Sequence, residues 1–271
     1  MGEVVALVLA RGRGQRMRCA VPEARLTSAQ AAAARAGSKA LMPIGGYAYL
    51  DYVLSSLADA GYRRAGLVIG PEQCEACGPY VEPDRAARVH VDLIEQVEPR
   101  GTADAVRSAE AWVGGSPFVV LNGDNLYPVS VLRALAELRE PGLAGFERDE
   151  LVRWGNIPAE RVQSFALLNV DASGRLMRIV EKPGAQEAGL AGPAALVSMN
   201  VWRFDDRIFD ACADVGLSAR GEYELPDAVA LALARGVPFT VVRGHGGVLD
   251  LSNQGDIFEV SRRLSGIEPR P

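Results

Sequence analysis

The sequence predicts an α/β fold in three layers, α/β/α, with a mixed, mostly parallel sheet in the middle. Three observations predict it. Residues 4–9, 65–70 and 117–124 are short apolar runs, the pattern of parallel strands buried on both faces. Stretches with apolar residues at helical spacing, 48–60 and 102–113, alternate with them. Turn residues close those stretches, Gly61 after the first and Gly114-Gly115 after the second.

Taken in order, residues 4–9 (VVALVL) form the first strand, followed by a loop with Gly12 and Gly14. Thr27-Ser28-Ala29-Gln30 fits a capping box, residues 29–35 are nearly all Ala, and Gly37 suits a helix C′ position. A helix of about two turns is expected there, too short to be stable unless it docks. Residues 48–60 are helical, 65–70 a strand, and 88–96 a strand that places His90 among packed neighbours. Residues 102–113 read as one helix, and 117–124 as a strand with polar residues at its C-terminal end. Right-handed crossovers gather functional loops at such strand ends. In the second half, 161–171 and 173–183 form a hairpin about Ala172-Ser173-Gly174, and 194–204 is a strand. Residues 205–212 and 224–234 are helical, 237–244 a strand, and 253–264 a closing helix. No repeat or long linker interrupts the pattern, so residues 1–265 read as a single domain with a tail at 266–271.

Composition narrows the function classes. The chain has 271 residues, 48% hydrophobic content and a net charge of −5. That balance argues against nucleic-acid binding, which favours a basic face. The apolar run at 4–10 is too short for a membrane span and no basic region precedes it, so a cytoplasmic protein without a membrane partner is expected. Cys74-Glu-Ala-Cys77 has metal or redox spacing in a single copy with no nearby His, and the four cysteines read as free thiols. Lysine occurs only twice, at Lys39 and Lys182, and arginine serves elsewhere. Those two positions are ones where a compact ammonium is wanted, or chance retention on a solvated surface.

The first loop reads Leu9-Ala10-Arg11-Gly12-Arg13-Gly14-Gln15-Arg16. Its glycines let backbone N–H groups approach a polyphosphate, and its arginines add charge-assisted bonds. It lacks the third glycine of the dinucleotide fingerprint and the GK[ST] of a P-loop, so alone it reads equally well as an ordinary turn. Five further pieces follow: residues 38–43 (SKALMP); Gln96 with 101–105 (GTADA); 121–124 (LNGD); Glu181-Lys182-Pro183; and 221–227 (GEYELPD) with Asp250. Together and in this order the six pieces resemble the sugar-1-phosphate nucleotidylyltransferase family. These are the NDP-sugar pyrophosphorylases, including glucose-1-phosphate thymidylyl- and uridylyltransferases. The resemblance runs from about residue 4 to about residue 262.

That resemblance implies a Rossmann-like nucleotide-diphospho-sugar transferase fold, residues 1–125 holding the nucleotide and 126–265 the sugar phosphate. It implies an NTP and a sugar 1-phosphate as substrates, pyrophosphate as leaving group and Mg²⁺ as cofactor. Dimers or tetramers are the family habit, so homo-oligomerisation stays open. By the same resemblance Arg16 holds the triphosphate, Lys39 the NTP phosphates, and Asp124 and Asp250 the metal. Lys182 grips the sugar phosphate. Leu9, Ala10, Gly12, Gly14, Gly101 and Thr102 surround the nucleotide. Asn122, Gly123, Glu181 and Asn200 face the sugar, Asn200 reading equally as a structural amide. Gln96 reads a pyrimidine edge, dTTP or UTP being favoured, or is a surface amide at a strand end. The chemistry is consistent: a phosphate oxygen is already ionised near neutral pH, its second pKa being about 6, so no general base is needed. The work left is positioning and charge stabilisation.

Four departures stand out. Arg11 replaces a small residue, Gln15 a Thr, no Trp precedes Asp250, and residues 17–38 form a longer connection to Lys39 than is typical. That connection is read as a lid or as an inert elaboration. Two rival functions remain: the same fold acting on phosphocholine or a cyclitol phosphate, and a non-catalytic nucleotide-sugar-binding homologue, which the intact Arg16, Lys39, Asp124, Lys182 and Asp250 set disfavours.

Overall fold

A computed structural model of the chain describes every residue except 1–3, 13, 83, 182, 185–191 and 193. Among the described residues the strands are β1 (Val5–Leu9), β2 (Pro43–Ile44), β3 (Tyr47–Ala48), β4 (Arg64–Ile69), β5 (His90–Glu95), β6 (Phe118–Asn122) and β7 (Asn125–Leu126), followed by β8 (Gly142–Glu147), β9 (Leu167–Val170), β10 (Leu176–Val180), β11 (Leu196–Phe204), β12 (Thr240–Gly244) and β13 (Leu249–Asp250). Nine of them build one sheet along the path β10-β9-β11-β6-β1-β4-β5, with β8 on β11 and β12 on β8. β1 lies between β4 and β6 and is parallel to both. β11 runs antiparallel to β6 and β8, which makes the sheet mixed.

The first strand shows why parallel strands look uniformly apolar in sequence. Ala6 and Val8 enter one core, while Val5 and Leu7 enter the other, so neither face needs a polar residue. The helices Tyr49–Ala60 and Val129–Glu137 close the first core. Thr102–Arg107, Arg207–Asp214 and Leu225–Ala234 close the second. Those are the three expected layers, and the hairpin at Ala172-Ser173-Gly174 joins β9 to β10 as its turn residues suggest.

Two expectations are corrected. The stretch 102–113 is two helices, Thr102–Arg107 and Glu110–Val113. Between them the Ser108 hydroxyl donates back to the Asp104 carbonyl at 3.0 Å, a local bond that competes with helix continuation. His90 is not packed. It opens edge strand β5 with its ring in solvent and its Nε2 3.3 Å from Asp92 Oδ1; exposure along β5 falls at its two ends, His90 and Glu95, and not on one alternating set.

The inserted helix spans Ser28–Ala36, with both bonds of the Thr27–Gln30 capping box and Gly37 at φ 74°. It is docked: Gln30 Nε2 donates to the Pro43 carbonyl at 3.0 Å, and Arg18 Nη2 to the Ala36 carbonyl at 3.0 Å. The final residues pack as well, Arg88 N donating to Pro271 O at 3.1 Å. No helix among the described residues is long and apolar enough to cross a membrane.

Candidate nucleotide site

β1, β4, β5 and β6 are mutually parallel, so their C-terminal ends share one edge of the sheet. A cleft of about 580 Å³ opens there. The loop after β1 is tied on both sides: Ala10 N donates to Val68 O, and Gly123 N to Leu9 O, each at 2.9 Å. Leu9, Ala10, Gly12, Gly14 and Arg16 all line the cleft. Gly14 is left-handed at φ 58°, and a Cβ there would strike the Gly37 backbone. The insertion thus packs directly against Gly14 of the first loop.

Lys39 and Asp124 meet across the cleft. Lys39 Nζ donates to Asp124 Oδ2 at 2.8 Å, and both side chains keep some solvent contact. Asn122 and Gly123 line the cleft beside them, and Asn122 Nδ2 donates to Asn125 Oδ1 at 3.4 Å. Asp250 does not reach the cleft wall. It is 6% exposed and stands beside Asn125, its partner in the β13–β7 pair, whose Nδ2 donates to Asp250 Oδ1 at 3.2 Å. Ser252 Oγ donates to Asp250 Oδ2 at 3.0 Å, and Arg161 Nη2 lies 3.3 Å away. Arg161 Nη1 also donates to both Asp256 oxygens at 3.1 Å, so one cation serves two buried carboxylates. Burial first, and then the charge of Asp124, push the Asp250 carboxyl well above the usual carboxylate range, while Arg161 opposes them.

That mutual repulsion bears on a metal. Asp124 on the cleft and Asp250 behind it press on each other, and a divalent cation would relieve them. Their hard oxygens, completed by phosphate oxygens and water, suit Mg²⁺, which seldom has an all-protein cage. No group of three or more His, Cys, Asp or Glu side chains able to hold a metal occurs among the described residues.

The other end of the cleft is built on Gln96. It is 2% exposed, so it is not a surface amide. Its N donates to Ile69 O at 2.9 Å, and its Nε2 donates to Gly101 O at 3.1 Å and Asp104 Oδ2 at 2.7 Å. Gly101 has φ 127°, and a Cβ there would run into the Tyr223 backbone. That contact is where segment 221–227 docks: Tyr223 N donates to Arg100 O at 2.8 Å, and Leu225 N to Thr102 Oγ1 at 2.8 Å. Thr102 thus lines the cleft and ties down its second wall. Gly101→Ala combines left-handed strain with a backbone clash, and is expected to cost about 2 kcal/mol or more. A melting temperature within a degree of wild type would show that the loop relaxes freely.

Other expected residues lie elsewhere. Lys182 is outside the described residues. Glu181 is exposed, bonded within the chain, and does not line the cleft. Asn200 is exposed at the irregular centre of β11, with φ 56° and its N donating to Ser198 Oγ at 3.2 Å. That is a structural use of an asparagine, one of the few side chains that tolerate this backbone region. Five residues take places the sequence reading did not give them: Arg11, read only as a loop arginine and a departure, with Arg220 and Glu222 on the cleft; Asp104, read only as part of 101–105, behind Gln96; and Arg161 behind Asp250. Glu222 sat inside a recognised motif and Arg11 was visible as a departure, but nothing local marks Arg161.

The chain is similar to known proteins of one family. The family model described as nucleotidyl transferase matches residues 5–265. The low-salt glycan biosynthesis nucleotidyltransferase Agl11 of Haloferax volcanii is 29% identical over 228 residues, 83% of this chain and 60% of its own length. A glucose-1-phosphate thymidylyltransferase of Streptomyces griseus is 29% identical over 268 residues, 98% of this chain and 67% of its own. The chain therefore spans about 60–67% of these two relatives. A solved UDP-glucose pyrophosphorylase in complex with UDP-glucose superposes with a TM-score of 0.75 at 17% identity, over 97% of this chain and 98% of the other, a likeness of fold.

Proposed function

The chain belongs to the nucleotidyl transferase family, and from that premise we propose that it joins an NTP, dTTP or UTP, to a sugar 1-phosphate, giving an NDP-sugar and pyrophosphate. The observation that carries the reading is the convergence of the glycine loop, Lys39, Asp124 and Gln96 on one cleft. An oxygen of the sugar phosphate attacks the α-phosphorus. The bond from that phosphorus to the bridging oxygen breaks, and pyrophosphate leaves with the electron pair. Backbone N–H groups of the loop and Arg16 receive the triphosphate. Lys39, beside Asp124 on the cleft, takes the phosphates of the NTP. Gln96 and Gly101 seat the base, and Lys182 takes the sugar phosphate. Asp124 and Asp250 are the residues that would hold Mg²⁺, which when bound stabilises charge on the phosphates. With both anions positioned and no proton to move, catalysis is orientation and electrostatics.

Pyrophosphate release, measured with Mg²⁺, five NTPs and a panel of sugar 1-phosphates, tests the reading. No release with any pair would remove it. The two lysines should separate kinetically: Lys39→Ala raises KM for the NTP more than for the sugar phosphate, and Lys182→Ala does the reverse. Identical patterns in the two variants would show that the division of labour is wrong.

A further inference from the structure

We infer that Arg11 and Asp104 set the base specificity of this cleft, Arg11 by donating to the base and Asp104 by fixing the orientation of the Gln96 amide, so that uracil or thymine is accepted and cytosine refused. The inference rests on the nucleotidyl-transfer reading above. Its starting point is the amide. Gln96 Nε2 donates to two acceptors, the Gly101 carbonyl and the Asp104 carboxylate. Flipping the amide would turn Oε1 against both, so the orientation is chemically determined. What remains is Oε1, an acceptor with no partner among the described residues, on a side chain that lines the cleft. The protein therefore offers the base an acceptor at this point.

Arg11 supplies donors beside it. The residue follows β1, and its guanidinium extends over the end of the neighbouring strand β4, where a Cβ on Gly70 would lie 2.6 Å from Arg11 Nε. The residue before Gly70 is Ile69, whose carbonyl receives Gln96 N. Arg11 and Gln96 thus reach the cleft from positions flanking the same strand end. The Arg11 side chain is 8% exposed, and Nε and Nη1 are buried with no hydrogen-bond partner. Its ion-pair neighbour, Glu72, is 3.6 Å from Nη2 and largely in solvent, too far for a hydrogen bond. Buried donors without acceptors are unfavourable, and a cleft wall is where a ligand can supply the acceptor. A rotation of the side chain off Gly70 brings those donors to the base.

An acceptor beside donors matches one edge. Uracil and thymine present N3–H to Gln96 Oε1 and the O4 carbonyl to Arg11. Cytosine presents an N3 lone pair and an N4 amino group, reversing both positions at nearly the same size. Asp104 touches no substrate in this scheme and is a positioning residue.

Calorimetric titration of the wild-type protein with UTP, dTTP and CTP, with Mg²⁺ present, is the first arm. UTP and dTTP are expected to bind roughly 10- to 100-fold more tightly than CTP. Arg11→Met should weaken UTP by about fivefold or more and leave CTP unchanged. Asp104→Asn can accept from or donate to the Gln96 amide, which leaves only the Gly101 carbonyl to oppose a flip, so the preference for UTP over CTP should narrow. A purely structural role for Asp104 would weaken all three nucleotides alike, and melting curves of both variants check folding. A wild-type preference for UTP over CTP below about threefold, or unchanged ratios in both variants, overturns the inference. Pyrophosphate release with the sugar phosphates is scored separately. Turnover that is best with CTP overturns the specificity and keeps the reaction. The expected binding ratios without turnover keep the specificity and overturn the reaction.

Discussion

Asp124→Asn is expected to lower turnover by about 10²-fold or more, because the cation that would stabilise charge on the phosphates loses one of its carboxylate ligands. The substitution keeps shape and removes charge. It takes one of the two carboxylates from the proposed Mg²⁺ site and leaves Lys39 without the negative charge it reaches at 2.8 Å. Because both side chains keep solvent contact, the fold should tolerate the change, with a melting temperature close to wild type. Pyrophosphate release at saturating substrates and Mg²⁺ is the measurement. Wild-type-like turnover would exclude Asp124 as a metal ligand.

Arg161→Met is expected to act on stability instead, by about 3–5 kcal/mol, the cost of stranding a buried charge when its partner goes. Asp250 and Asp256 have side chains 8% and 9% exposed, and both lean on this one guanidinium. Methionine keeps length and apolar contact but returns no charge. For a chain of this size the loss corresponds to roughly 6–20 °C in melting temperature. Combining Arg161→Met with Asp256→Asn should recover part of it, because one of the stranded charges is then gone. A single variant that melts within about 2 °C of wild type would mean that Asn125 and Ser252 suffice to hold Asp250.

Gln96 shows how far a motif carries and where it stops. Its five-residue spacing to Gly101 brought it to notice, yet the sequence left it open as a surface amide. The structure buries it, and the reason is the β4–β5 ladder together with Asp104 one helical turn into Thr102–Arg107. His90 went the other way. Alternation correctly made it a strand residue, but the packed sheet leaves the two ends of β5, His90 and Glu95, in solvent, and no window of residues reveals where that cover stops.

Some features needed nothing beyond the chain itself. β1 follows from an apolar run long enough for a strand and too short for a helix. The helix Ser28–Ala36 follows from Thr27, Gln30 and Gly37, whose bonds all close within one turn of their own backbone. The glycine loop, Lys39 and Asp124 were recognisable through the resemblance that the six short motifs carry together, each motif being local in sequence. What the tertiary structure alone decided is pairing across long separations. Asn125 opposes Asp250 in the β7–β13 pair, and Arg161 serves Asp250 and Asp256 from another short helix. Lys39 finds Asp124, and Gly37 closes on Gly14, only because strands far apart in sequence end on one edge of the sheet. The physical reason is range. Helix caps and strand patterns are enforced by bonds between near neighbours. The partner of a buried charge is chosen by whichever residue the packed sheet delivers to it.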